Sequence, residues 1–161
     1  MVTNVILSNL DYCNSLLSIC TKTSLKPLQT IFNRSIRFIF GINRRTHISP
    51  YQQKLHFLPI FYRIKFKLCL LSYKIFNQIA PDYLSDDFIL FQPTTPINLR
   101  IGPGRDTSMF QMERSTAKYT LKKNMKKEWN SLPLILRNVK SVSLFKKKLK
   151  THFFTQAFPQ L

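Results

Sequence analysis

The sequence predicts a mainly α fold: a helical bundle of about five helices with a loop-rich insert at residues 80–113. Three observations predict it. Apolar residues recur at three- and four-residue spacing along most of the longer segments. Breakers concentrate in one stretch, with Pro81, Pro93, Pro96 and Pro103 and with Gly102 and Gly104. The whole chain has only three glycines in 161 residues, too few for a turn-rich barrel or sandwich. That length suffices for one domain with a modest core, and the 44% hydrophobic content is that of a globular chain. Residues 1–80 form a helical region, 81–113 a connector and 114–161 a basic helical end, all expected in one compact domain.

Residues 3–19 carry Val5, Ile6, Leu10, Cys13, Leu16 and Leu17 at helical spacing and predict a first helix. The chain begins abruptly, as if cut from something longer. A second helix is expected over 24–40. Ser24 caps it, Pro27 lies in its first turn, where a missing N–H costs nothing, and Gly41 stops it. Leu28, Ile31, Phe32, Ser35, Phe38 and Ile39 form its expected buried stripe, opposite Lys26, Thr30, Asn33, Arg34 and Arg37. After the basic loop 42–47, Ser49-Pro50 starts a short helix to about Phe57. Pro59 opens the longest helix, which is apolar on most of its circumference and therefore central. Arg63, Lys67 and Lys74 fall within about 40° of one another on it and make one basic ridge.

In the 80–113 insert, the runs FILFQ and INLRI fit a short β-hairpin and IGPGRD a turn. Ser115 caps a further helix with Ala117, Leu121, Met125 and Trp129 along one side and lysines over much of the rest; SLP at 131–133 ends it. The last helix runs from about Val142 to Phe154, capped by Ser141 or Ser143. Phe145, Leu149, His152 and Phe153 make its inner face, and Lys146, Lys147, Lys148 and Lys150 face water.

Charge narrows the function. Lys and Arg number 25 against 7 acids, for a formal net charge of +18. Between Asp11 and Asp82 there is no acid, while eleven basic residues fall in the gap. Such a chain repels itself unless a polyanion neutralises it. Nucleic acid is the leading partner and an anionic membrane surface the second. A coding sequence biased towards A and T would inflate Lys, but would not remove the acids. Cys13, Cys20 and Cys69 are an odd number at irregular spacing, which fits buried free thiols in a reducing, intracellular compartment, nuclear or cytoplasmic. His47, His56 and His152 are scattered, so neither zinc nor any cofactor is expected. Residues 1–10 lack a basic leader, and no apolar run is long enough to span a bilayer.

The stretch PDYLSDDF at 81–88 tests a catalytic reading. Two-metal nucleotidyl transfer needs several converging carboxylates. Asp86 and Asp87 would supply two, but the only acid before this stretch is Asp11, in a helical pattern. Two residues, Leu84 and Ser85, separate the tyrosine from the pair, where the polymerase palm motif has one. The segment reads instead as a short helical turn with a solvated exit. No serine-hydrolase elbow, P-loop or HExxH pattern occurs, and no catalytic residue is assigned.

Six stretches carry a resemblance: LDYCNSLL (10–17), LQTIFNRSIRFI (28–39), HISPYQQKLHFLPIFYRIKFK (47–67), LLSYKIFNQIAPDYLSD (70–86), EWNSLPLILRN (128–138) and SLFKKKLKTHFF (143–154). In this order and spacing they resemble the segment after the reverse-transcriptase palm in proteins of non-LTR (LINE) retrotransposons of the jockey-like group. In that family the metal-binding aspartates lie upstream of the LDYC segment, and PDYLSD aligns with a downstream, non-catalytic stretch. The resemblance implies a thumb and C-terminal region without fingers, palm or endonuclease, and without the Cys/His knuckle of some relatives. It implies a grip on RNA, RNA–DNA hybrid or DNA, with no small-molecule substrate, no stable membrane insertion and the upstream palm as a further partner. The positions matching the family are Asn33, Arg37, His47, Arg63, Lys74, Trp129, Asn130, Arg137 and Lys146. Trp129 sits on an apolar stripe and reads as core before it reads as a base-stacking platform. The charge pattern adds Arg34, Arg44, Arg45, Lys67, Lys122, Lys126 and Lys150 as nucleic-acid contacts. A basic interaction or membrane-surface protein and a decayed, non-functional copy are the competing readings.

Overall fold

The structure is a computed structural model that describes residues 2–85, 88, 110 and 120–159. It is mainly helical. The expected hairpin, the IGPGRD turn, Asp86, Asp87, Ser115 and Ala117 lie outside the described residues. The chain forms two compact units, residues 1–67 with 149–161, and residues 68–148.

In the first unit, α1 (Val2–Asp11) is shorter than the predicted helix. The chain turns at Cys13, which has φ 50, and continues as a 3₁₀ segment, Asn14–Ile19. Asn14 Nδ2 donates to Leu10 O at 3.1 Å and takes a carbonyl that a continuing helix would need. The predicted apolar stripe is largely unburied here: Val5 and Leu16 are more than half exposed, and Cys13 and Cys20 are exposed thiols rather than buried ones.

α2 (Lys22–Phe40) starts two residues before the predicted helix. Its cap is Thr21, whose hydroxyl accepts from Ser24 N at 3.2 Å, so Pro27 lies inside the helix rather than in its first turn. Gly41 ends it as predicted, in the left-handed conformation at φ 59. The buried stripe is rotated from the predicted one. Leu25, Phe32 and Ile36 are buried, while Ile31, Phe38 and Ile39 face solvent. Polar hydrogen bonds explain the rotation. Gln29 Oε1 accepts from Ile60 N at 2.9 Å, and Asn33 Oδ1 accepts from Gln29 Nε2 at 2.8 Å and Gln52 Nε2 at 3.0 Å. Burying that side satisfies two chain segments that pack on α2, which an apolar stripe alone could not do.

α3 (Ser49–Lys54) has Pro50 in its first turn and stops before the predicted Phe57, where His56 adopts φ 50. α4 (Ile60–Phe76) is two residues shorter than α2, so it is not the longest helix. Its Ile60 and Ile64 complete the core of this unit with Leu58, and with Leu149 and Phe153 from the end of the chain. Tyr62 holds that end through its hydroxyl, which donates to Gln156 O at 3.1 Å.

The second unit takes the last turns of α4, then α5 (Asp82–Ser85), the short turn predicted after the long helix. Thr120 is extended and caps α6 (Leu121–Asn130), accepting from Lys123 N at 3.2 Å; this helix therefore starts later than predicted. A further turn, α7 (Leu134–Arg137), follows Pro133. α8 (Val142–Ala157) begins where predicted, runs three residues beyond Phe154, and its turns from 149 onward belong to the first unit. Along it Phe145, Leu149 and Phe153 are buried, and Lys146, Lys147, Lys148 and Lys150 are exposed, as the spacing predicts; His152, expected on the same inner face, is only half-buried.

Trp129 is the centre of this second core. It is fully buried, stacks on Phe76 with ring centroids 5.4 Å apart, and meets Phe110 at 5.9 Å and Phe145 at 6.0 Å. Tyr73 stacks on Phe145 at 4.2 Å. Its hydroxyl is buried without a hydrogen-bond partner among the described residues, and burial pushes its pKa above the ordinary phenol value. Two substitutions separate these roles. Trp129→Ala should cost about 3–5 kcal/mol in urea unfolding followed by circular dichroism. Tyr73→Phe should be neutral or stabilising, because it removes a polar atom that has no partner. Equal losses from both would contradict this account of the core.

Candidate nucleic-acid interface

The clearest basic feature of the first unit is built by the end of α2. Thr30, Asn33, Arg34 and Arg37 recur at helical spacing and share one side. At the C-terminus, Gly41 N and Ile42 N turn back to the last carbonyls, Ile42 reaching Arg37 O at 3.1 Å. The left-handed residue that this closure needs is supplied by glycine at no steric cost. Asn43 shapes the next turn: its backbone carbonyl accepts from Thr46 N at 3.1 Å and its side chain from Arg45 N at 3.4 Å. The loop therefore returns alongside the helix, and Arg37 Nη2 donates to Thr46 O at 3.4 Å. Between helix and loop lies a cavity of about 570 Å³, lined by Thr30, Asn33, Arg34, Arg37, Ile42 and Arg44. Three arginines and, among the described residues, no carboxylate border it.

Four of the sequence-predicted residues, Asn33, Arg34, Arg37 and Arg44, thus come together. Arg45 and His47 are exposed on the same loop but do not line the cavity. The predicted ridge on α4 is only partly available. Arg63 grips Asp11 with two parallel hydrogen bonds, from Nε to Oδ1 and from Nη2 to Oδ2, the second at 2.7 Å. Lys67 Nζ lies 3.2 Å from the same carboxylate. Lys74 is half-buried.

In the second unit, Lys122 and Lys146 are exposed, whereas Lys126 and Arg137 are buried, at 3% and 6% exposure. The Lys126 ammonium sits 5.5 Å from the centroid of Phe88. These two are therefore packed into their unit rather than presented to solvent. Lys150 is exposed in the first unit. Trp129 is core, and Asn130 clamps the backbone of Phe110, accepting from its N–H and donating to its carbonyl, both at 2.9 Å. Both positions are thus occupied by structural contacts.

A second basic feature was not predicted. Lys22 Nζ and Lys65 Nζ each lie 5.0 Å from the centroid of the Phe61 ring. Around it, Lys22, Leu25, Lys26, Gln29, Ile60 and Phe61 line a groove of about 280 Å³ with an apolar floor. The Phe61–Lys65 pair has the helical i, i+4 spacing and was legible in principle. Lys22 is remote in sequence and was not.

Among the described residues, no three His, Cys, Asp or Glu side chains gather as a metal site requires, and no helix is long and apolar enough to cross a membrane. Comparison with protein-family models, with curated proteins and with solved structures found no match.

Asp11 gives the first unit a pH dependence in the acid range. Burial by itself would raise its pKa; the hydrogen bond and charge of Arg63, then Lys67, outweigh burial and hold it below the ordinary carboxylate value. A depressed native pKa stabilises the fold above the unfolded value of about 4, and that contribution is lost as pH falls through the lower native value. Urea midpoints of wild type and Asp11→Asn should therefore differ at neutral pH, with wild type more stable. The gap should close as pH falls below about 4. A gap that persists unchanged at low pH would contradict the assignment.

Proposed function

We propose that this chain binds RNA or RNA–DNA hybrid without catalysing its synthesis, as the post-palm, thumb-type region of a non-LTR retrotransposon reverse transcriptase. The observation that carries the reading is the arginine-lined cavity in a stretch of chain free of acids. Guanidinium forks match phosphate oxygens, and no carboxylate in residues 12–81 opposes an approaching polyanion. The exposed lysines of α8 add sequence-independent attraction. The six family-like stretches support the same class, and the PDYLSDDF stretch departs in its spacing from a palm motif.

The test is a salt titration of binding to a fluorescent RNA hairpin, with anionic liposomes as competitor. Contact with a few phosphates predicts a slope of log affinity against log salt of about −2 to −4. Replacing Lys146, Lys147 and Lys148 together by Gln should make the slope shallower by up to about 2–3. Absence of binding at low salt, or displacement by liposomes in preference to RNA, would overturn the reading. So would templated primer extension in magnesium, which would make the chain an enzyme.

A further inference from the structure

We infer that the cavity between α2 and the 42–46 loop is a discrete site for a phosphate monoester of the nucleotide class, whose nearest source is the 5′-terminal phosphate of an RNA strand. The inference rests on the nucleic-acid reading above and deepens it. The cavity, about 570 Å³, lies within the usual range of small-ligand sites, about 300–1,000 Å³. Arg34, Arg37 and Arg44 converge on it from two chain segments. A monoester carries about −1.5 to −2 charges and three terminal oxygens, and so matches three guanidiniums better than a singly charged diester does.

The site is also prepared in advance. Arg37 is anchored to Thr46 O at 3.4 Å, and its Nε is buried without an acceptor among the described residues. Asn33 has its oxygen committed to Gln29 and Gln52, so the polar group it has left to offer an anion is the Nδ2 amide donor. Two of the last carbonyls of α2, those of Arg37 and Phe38, which would repel an anion, are turned to the N–H groups of Gly41 and Ile42. Thr30 spends its hydroxyl proton on Lys26 O at 3.0 Å and only bounds the cavity. Ile42 adds an apolar wall against which a sugar or base can rest.

The experiment compares two RNA oligomers of one sequence, one with a 5′-phosphate and one with a 5′-hydroxyl. It is run on the full chain at about 0.15 M salt, with adenosine monophosphate and inorganic phosphate as competitors. The 5′-phosphorylated oligomer should bind about tenfold tighter, the worth of one charge-assisted contact, and adenosine monophosphate should erase the difference. Arg34→Gln and Arg44→Gln, both at exposed side chains that leave the fold intact, should each cut the preference to below about threefold. Arg37→Lys should do the same, because an ammonium cannot reproduce the fork. Equal affinity for the two oligomers, or a preference untouched by these variants, would overturn the site while leaving the nucleic-acid reading standing. Binding of adenosine monophosphate with neither oligomer bound would keep the site and overturn that reading. Absence of binding to any of these probes would overturn both.

Discussion

The Asp11 carboxylate receives Arg63 through two hydrogen bonds and Lys67 through a third contact, and no other acid appears before Asp82. The other nine basic residues of that stretch therefore have no acid within it to pair with. Mutual repulsion at a net charge of +18 works against any compact state. The structure meets this constraint in two ways. It spends its one local acid where two helix segments meet, and it spreads most remaining cations over exposed faces, where solvent screens them. The arginine cavity is the exception, since three like charges border one concave space. An arrangement that costs electrostatic energy in the free chain is what a polyanion would relieve.

Apolar packing supplies the opposing force, and each unit has its own. In the second unit the aromatic cluster around Trp129 leaves that side chain no exposure, with Asn130 holding Phe110 in place by its backbone. In the first, the core runs from Leu25, Phe32 and Ile36 to Phe153, and polar side chains fix its register. Asn33 is central here. It is at once a cavity-lining residue and the acceptor for two glutamine amides, so the same side chain sets the position of α3 and the shape of the candidate site. Fold and site are coupled through it.

Much of this was legible in the sequence where one local signal decides the outcome. Gly41 ends α2 because a left-handed cap needs little beyond the residue itself. The faces of α8 follow from strict spacing of Phe145, Leu149 and Phe153. Where partners are remote, local patterns misled. The apolar stripe of α2 pointed to Ile31 and Phe38, yet hydrogen bonds to Gln52 and Ile60 turned the Gln29–Asn33 side inward. The predicted α4 ridge ignored Asp11, fifty-two residues away from Arg63. Within the site, Asn33, Arg34 and Arg37 could be grouped by helical spacing. Arg44 could be placed beside them only once the Asn43 turn was known. Lys126 and Arg137 counted as surface charges by residue type, but both are buried within their unit, which residue type alone does not reveal.

Relief of this unbalanced positive charge is what the proposed nucleic-acid partner would supply. Thermal unfolding of the full chain across a range of salt, with and without a saturating RNA hairpin, tests it most directly. A ligand that binds only the folded state raises the midpoint, and an electrostatic one does so less as salt is added. The midpoint should rise clearly with RNA at low salt and not at high salt, and the midpoint without RNA should climb as salt screens the repulsion. A midpoint indifferent to RNA at low salt would contradict it.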